Sequence, residues 1–215
     1  MKISAKKSYH KLFCLIGLGL LAVSWCSVTL FMTASAPVKQ QVQHKRFGDL
    51  HQGMAAFEEI RDSILDYQSA SHESHANSSH ADEIIPGLYV GNKHTVQSLP
   101  SDVSAVISCR SHPQRPQISE AIVWKSIAVP DKASTDLTQY FDEVYDFIEH
   151  ATTGVLIHCN RGISRSPSLV IAYLMKKFDV PYTAAYHYVS KKHPACNPNS
   201  SFERQLKAYE ATLQK

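Results

Sequence analysis

Cysteine is scarce in this chain: five in 215 residues, scattered along it, too few for a small fold stapled by disulfides. Charge is sparse as well, at 19% of residues against 44% hydrophobic, which excludes wholesale disorder and long coiled-coil or collagen-like architectures. The length admits one ordinary domain with appendages. A basic nucleic-acid-binding face is not supported either, despite a formal net charge of +3. Residues 1–49 hold seven Lys/Arg and one Asp, a net +6, whereas residues 50–215 hold fifteen Lys/Arg against eighteen Asp/Glu, a net −3. The positive charge belongs to the N-terminal flank, so nucleic acid is set aside as a partner.

What the flank does contain is one long uncharged run. Lys2, Lys6, Lys7 and Lys11 precede the twenty-one residues Leu12–Met32, which as a helix would rise about 30 Å, one hydrocarbon core. Signal-peptide cores run to roughly 7–15 residues, so residues 1–36 read as a basic flank with a retained transmembrane anchor. Ala34-Ser35-Ala36 has the small residues of a cleavage site, which keeps a secreted form open as the alternative. Pro37 directly after it fits an extended protease substrate poorly. Four lysines before the run against Lys39, Lys45 and Arg46 after it favour a cytoplasmic N-terminus, with the rest of the chain on the far side of the membrane.

Residues 37–81 read as a stem. Leu50, Met54, Phe57, Ile60 and Ile64 fall at helical spacing and predict an amphipathic helix over Leu50–Tyr67 that packs on the domain or on a neighbour. The polar tract SASHESHANSSHA, residues 69–81, reads as a linker. Its His72, His75 and His80 lack the cysteines or carboxylates that would complete a metal site, so no metal is expected. Asn77-Ser78-Ser79 is a glycosylation sequon, usable only in a secretory lumen.

Residues 82–215 alternate short apolar runs with amphipathic segments. Strands are expected at Leu88–Val90, Ala105–Cys109, Ile122–Val129 and Val155–His158, and helices at Asp136–Ala151, Arg165–Phe178, Thr183–His193 and Ser201–Leu213. That order predicts an α/β domain, a central and mostly parallel sheet flanked by helices.

The chemistry concentrates on one loop. The apolar run Gly154–His158 leads into Cys159-Asn160-Arg161-Gly162-Ile163-Ser164-Arg165-Ser166, and a helical pattern starts at once. A strand, a tight loop and a helix N-terminus make an anion cradle of backbone N–H groups. Gly162 lets the loop turn, and Arg165, six positions after Cys159, offers a planar fork for two phosphate oxygens. The same field favours the Cys159 thiolate, placing a nucleophile beneath a phosphate seat. His158 and Cys159 should point to opposite faces of their strand, which makes His158 a loop support rather than a base for its neighbour.

His158–Ser166 (HCNRGISRS) matches the HCxxGxxRS signature of the cysteine-dependent protein tyrosine phosphatases. Ile85–Gly91 (IPGLYVG), Ala172-Tyr173-Leu174-Met175 and Pro198-Asn199 with Phe202 resemble motifs of the compact, atypical dual-specificity branch, in the same order. The resemblance covers roughly Ile84–Leu213 and implies hydrolysis of phosphomonoesters through a phosphocysteine, without metal or cofactor, on phosphorylated proteins at tyrosine and serine/threonine. It also implies a general acid on a loop upstream of the cysteine. Asp131, after Ile127-Ala128-Val129-Pro130 and 28 residues before Cys159, fits that place, with Thr135 and Asp136 left to cap the following helix. Cys159, Arg165, Asp131 and Ser166 are then the catalytic set, with Ser166 donating to the departing thiolate. Asn160, Arg161, Gly162, Ile163, Ser164 and Arg165 form the phosphate-binding loop, and Ser164 braces it.

Many relatives carry Ala where Arg161 stands, and this added cation keeps a phosphoinositide or other small phosphate ester open as substrate. A pseudophosphatase that only binds phosphorylated partners is the other alternative, opposed by the intact Cys159, Arg165 and Asp131. Cys109 ends its own strand and Cys159 sits just past its own, so Cys109 is either a redox partner for Cys159 or a small buried hydrophobe.

Overall fold

The apolar sequences of two segments, VSAVISCR and GVLIHC, suit strands covered on both faces, and they become the centre of one five-stranded sheet. The computed structural model of the chain describes residues 54–66 and 80–214. Its strands are β1 (Asp82–Ile85), β2 (Leu88–Gly91), β3 (Val103–Arg110), β4 (Val123–Ala128) and β5 (Gly154–Cys159), in the order β1-β2-β5-β3-β4. The β2–β5, β5–β3 and β3–β4 pairings are parallel and β1–β2 is antiparallel, so the sheet is mixed. Pro86 and Gly87 turn the hairpin, with Gly87 at φ +79, a position that a type II turn reserves for glycine.

Five α-helices follow in the described residues: α1 (Met54–Leu65), α2 (Phe141–Glu149), α3 (Arg165–Phe178), α4 (Tyr182–Lys192) and α5 (Ser200–Leu213). Their buried side chains join Leu88, Ile107, Val155 and Ile157 in one apolar cluster, so the helices flank one face of the sheet. The opposite face carries a smaller cluster of Val96, Val103, Val106 and Leu156, covered by Leu99, Ile118, Ile122 and Trp124 from loops and the edge strand. α3 is buried along nearly its whole length and starts at the carboxyl end of β5, which aims its N-terminus at the loop between them.

Several boundaries differ from those expected. The helix expected to begin at Asp136 opens with a 3₁₀ turn, Thr138–Tyr140, because Asp136 Oδ1 accepts from Thr138 N (3.0 Å) while Leu137 N donates to Gln205 Oε1 on α5 (2.7 Å). β1 was not expected as a separate strand; only four residues long, it shows no alternation. Pro181 precedes α4 in extended conformation, and Glu210 of α5 accepts from Tyr182 N (2.9 Å) where a proline side chain offers no cap.

The stem helix forms over Met54–Leu65 and packs on the domain. Phe57 stacks on Phe178 with ring centroids 5.0 Å apart, Ile64 is fully buried, and Arg61 Nε donates to Phe178 O (3.2 Å) at the end of α3. The expected membrane segment Leu12–Met32, Leu50, His72, His75 and the glycosylation sequon lie outside the described residues. Among the described residues no helix is long and apolar enough to cross a membrane.

Candidate active site

Cys159 is the last residue of β5 and is buried, and the next five residues wrap over its thiol before α3 begins at Arg165. Gly162 turns this loop at φ +72, and a Cβ there would meet Gly91 O at 3.0 Å. Two independent reasons thus demand glycine at one position. The Gly162 N–H points at Cys159 Sγ (3.1 Å), as a thiolate requires.

The loop carbonyls are held away from that thiol. Asn160 O accepts from Lys93 N (3.4 Å) and Ile163 O from Asn197 N (2.8 Å). Gly162 O, which can only accept, takes a hydrogen bond from His193 Nε2 (2.6 Å), while His193 Nδ1 meets Asp82 Oδ2 (2.5 Å). In a trans peptide C=O and N–H point to opposite sides, so anchoring these carbonyls outward directs the amides of Arg161, Ile163 and Ser164 the other way. The oxygens of a phosphate find donors there, reinforced by the positive end of α3.

Arg165 is buried, and its Nη1 donates to Val129 O (3.2 Å) at the end of the β4 segment, while Nε lies 3.7 Å from Asp131 Oδ2. Asp131 Oδ1 accepts from Ser164 Oγ and from Asn199 Nδ2, both at 2.8 Å. The carboxylate expected to act as general acid therefore stands beside the arginine expected to hold phosphate. Thr135 Oγ1 to Pro130 O (2.9 Å) and Ser201 Oγ to Ala133 O (2.8 Å) secure the segment that carries it.

The remaining residues sort themselves by contact. Ser164 is buried and links Asp131 to the loop, also accepting from Asn199 N (3.1 Å), which is the bracing expected of it. Ser166 is buried and donates to Gly91 O at 3.4 Å, a long bond that ties the first turn of α3 to β2. Asn160 and Arg161 are exposed and Ile163 is half-buried. His158 faces away from the thiol: its Nε2 meets Ser108 Oγ (2.7 Å), which also accepts from Trp124 Nε1 (2.9 Å). Burial pushes its pKa down to about 4, so the ring is neutral. Cys109 sits directly opposite Cys159 in the β3–β5 register; both are free and buried. Burial pushes the Cys109 thiol well up, and a charge on Cys159 would add to that.

Sequence reasoning missed three residues. His193 holds the loop from 31 positions away, Asn199 holds Asp131 from 68, and Arg110 donates through Nε to Asn160 Oδ1 (2.6 Å) across 50. Asn199 stood in a recognised motif, which was the one available signal; nothing local marks the other two. Among the described residues no cluster of three His, Cys, Asp or Glu side chains is placed to hold a metal ion.

Comparison with known proteins bears directly on this geometry. Residues 88–212 match the family described as dual specificity phosphatase, catalytic domain. Dual specificity protein phosphatase 1 of Arabidopsis thaliana is 39% identical over 137 residues, covering 60% of this chain and 68% of that protein. Dual specificity protein phosphatase 1B of the same plant is 38% identical over 141 residues, covering 61% and 83%. Among solved structures, the human tyrosine phosphatase-like serine/threonine/tyrosine-interacting protein superposes with a TM-score of 0.60 at 28% identity, over 64% of this chain and 100% of that one. A catalytic-domain match across more than half of its length makes this chain a member of the dual-specificity phosphatase family, a cysteine-dependent phosphatase.

Proposed function

We propose that the chain dephosphorylates proteins at tyrosine and serine/threonine through a phosphocysteine formed on Cys159. The carrying observation is a buried thiol met by the Gly162 N–H, on a loop whose following Arg165 guanidinium stands beside the Asp131 carboxylate. Cys159 attacks phosphorus in line, and the P–O bond to the substrate breaks as the P–S bond forms. Arg165 and the loop amides hold the equatorial oxygens, and protonated Asp131 gives its proton to the leaving oxygen. Asp131, now a carboxylate, takes a proton from water as that water attacks phosphorus, and Ser166 donates to the thiolate that departs. A phosphoinositide is the rival substrate, favoured by the exposed cation of Arg161 on the loop.

Cys159→Ser is expected to abolish turnover of an aryl phosphate while still binding phosphopeptide, because the cradle and Arg165 do the binding. Turnover near wild type in that variant would remove the thiol from the mechanism. A wild-type chain that binds phosphopeptide without turning it over would be a pseudophosphatase.

For the N-terminal flank, we infer a single-pass anchor at Leu12–Met32 with the N-terminus in the cytoplasm and the phosphatase on the far side; secretion after cleavage is the alternative. The support is the uncharged twenty-one-residue run and the lysines before it. Deleting residues 1–36 is expected to release active enzyme, whereas the full chain resists extraction by carbonate. Extraction of the full chain by carbonate would refute the anchor, and a mature N-terminus near Pro37 would establish cleavage.

A further inference from the structure

A cavity of about 610 Å³ opens beside the phosphate loop, with Lys93, Arg110, Arg115, Gln114, Gln117 and His158 in its wall. It lies on the His158 side of β5, across the sheet from the Cys159 thiol. No carboxylate lines it. That is unexpected in a region where residues 50–215 carry a net −3, and where three cations facing one space repel each other. Among the described residues, the exposed Glu120, 3.5 Å from Arg115, is the one carboxylate that pairs with any of them. His158 adds no charge, being held neutral by burial. Beside the apolar Val96 and Pro116, the wall thus offers two guanidinium groups, one ammonium and three amides, Gln97 being the third.

One residue of the phosphate loop is bonded to two residues of the cavity wall. Asn160, next after the nucleophile, accepts through Oδ1 from Arg110 Nε and through its carbonyl from Lys93 N. Arg110 spends only its Nε on that bond, which leaves the four Nη hydrogens to a ligand. Arg115 is aimed by bonds from Nη2 to Ser119 O and Ile122 O, both 3.2 Å. Because Cys109 pairs with Cys159, Arg110 is one step beyond that pair, and its Cα lies about 6 Å from that of the nucleophile. An extended peptide covers a similar distance in about two residues.

We propose that this cavity is a second anion site, selecting phosphoprotein segments that carry another anionic side chain, phosphate or carboxylate, within about three residues of the phosphate removed. The proposal rests on the phosphoprotein reading above. Guanidinium and ammonium groups would pair with the second anion, and the neutral His158 and the glutamines would orient it.

The test compares one phosphotyrosine peptide in three forms, with flanking glutamates, with a flanking phosphoserine, or with neutral glutamines, together with a small aryl phosphate, all on the full chain. The anionic forms are expected to have a kcat/KM roughly tenfold higher through KM, the scale of one charge-assisted contact. Arg115→Gln, alone and with Gln117→Ala, should erase that preference and leave aryl phosphate turnover unchanged. Binding of the same peptides to Cys159→Ser reads the second site without turnover, so a failure of catalysis and a failure of the site are told apart. Equal affinity for all three forms, or a preference that survives both variants, would overturn the proposal. So would competition by soluble inositol phosphates that is lost in Arg115→Gln while the peptides stay undiscriminated, since the cavity would then serve a lipid headgroup.

Discussion

Asn199 shows how much of this site depends on single side chains with several partners. Its Oδ1 caps α5 by accepting from Ser201 N and Phe202 N, both 3.0 Å, and its Nδ2 donates to Asp131. Losing such a residue would free a helix end and the Asp131 carboxylate together. Asp131 is thereby positioned by Ser164 and Asn199 with about a third of its side chain exposed at 35%, open to a leaving group arriving from solvent. Asp131→Asn keeps the shape and removes the proton. On alkyl phosphates, whose leaving oxygen must be protonated, the rate is expected to fall about 10²–10⁴-fold. On activated aryl esters the loss is expected to be much smaller. Parallel rate measurements on the two substrate types check this, and equal losses would assign Asp131 a purely structural role. Cys159, Arg165 and Asp131 could be singled out in the sequence because they stand on contiguous loops whose spacing carries chemistry, and the fold brings Arg165 and Asp131 together. Asn199 and His193 act across the fold, and residue order holds no trace of which carbonyl or carboxylate a distant side chain will meet.

At the scale of elements, the strands were readable and their pairing was not. Apolar runs announced β2 to β5 to within two residues, whereas β1 acquires its strand character only by pairing with β2. Helix α3 matched its expected bounds because one apolar pattern fills it, while the start of α2 is governed by Gln205 from another helix. Register follows from how strands pack, which is why the sequence left Cys109 undecided between two roles. In the fold, Cys109 and Cys159 are Cα partners on adjacent parallel strands, a spacing of about 5 Å that falls in the range for a disulfide. We therefore expect Cys109 to act as a resolving thiol. Hydrogen peroxide would oxidise the Cys159 thiolate to a sulfenic acid with release of hydroxide. The Cys109 thiol would then attack that sulfur, forming the S–S bond and expelling water. Its own raised pKa keeps Cys109 protonated, so Cys159 is oxidised first. Non-reducing peptide mapping after mild peroxide should yield a Cys109–Cys159 peptide, with activity restored by added thiol. If Cys109→Ser recovers as fully as wild type and no such peptide forms, Cys109 is only a buried hydrophobe.

At the scale of the described domain, three strands are tied together where His158 on β5 meets Ser108 on β3 and, through that hydroxyl, Trp124 on β4. Three strands converge on this one neutral ring, which is 1% exposed, so protonating it disturbs the fold as a unit. The sign of the effect follows from where the proton binds. Unfolded, the imidazole titrates near the ordinary 6.5; folded, burial holds it at about 4. Between those values the unfolded chain binds a proton that the folded chain refuses, so stability rises with pH across this window and is lost as pH falls through it. The full loss is about 3 kcal/mol, a large share of what holds a domain of this size together. Urea titrations at pH 7, 5.5 and 4.5 should show the unfolding midpoint dropping steadily. In His158→Gln, whose amide can still bond Ser108 but does not titrate, the decline over the same interval should be distinctly shallower. Parallel slopes for the two proteins would place the acid sensitivity elsewhere and make His158 a packing residue without linkage to protons.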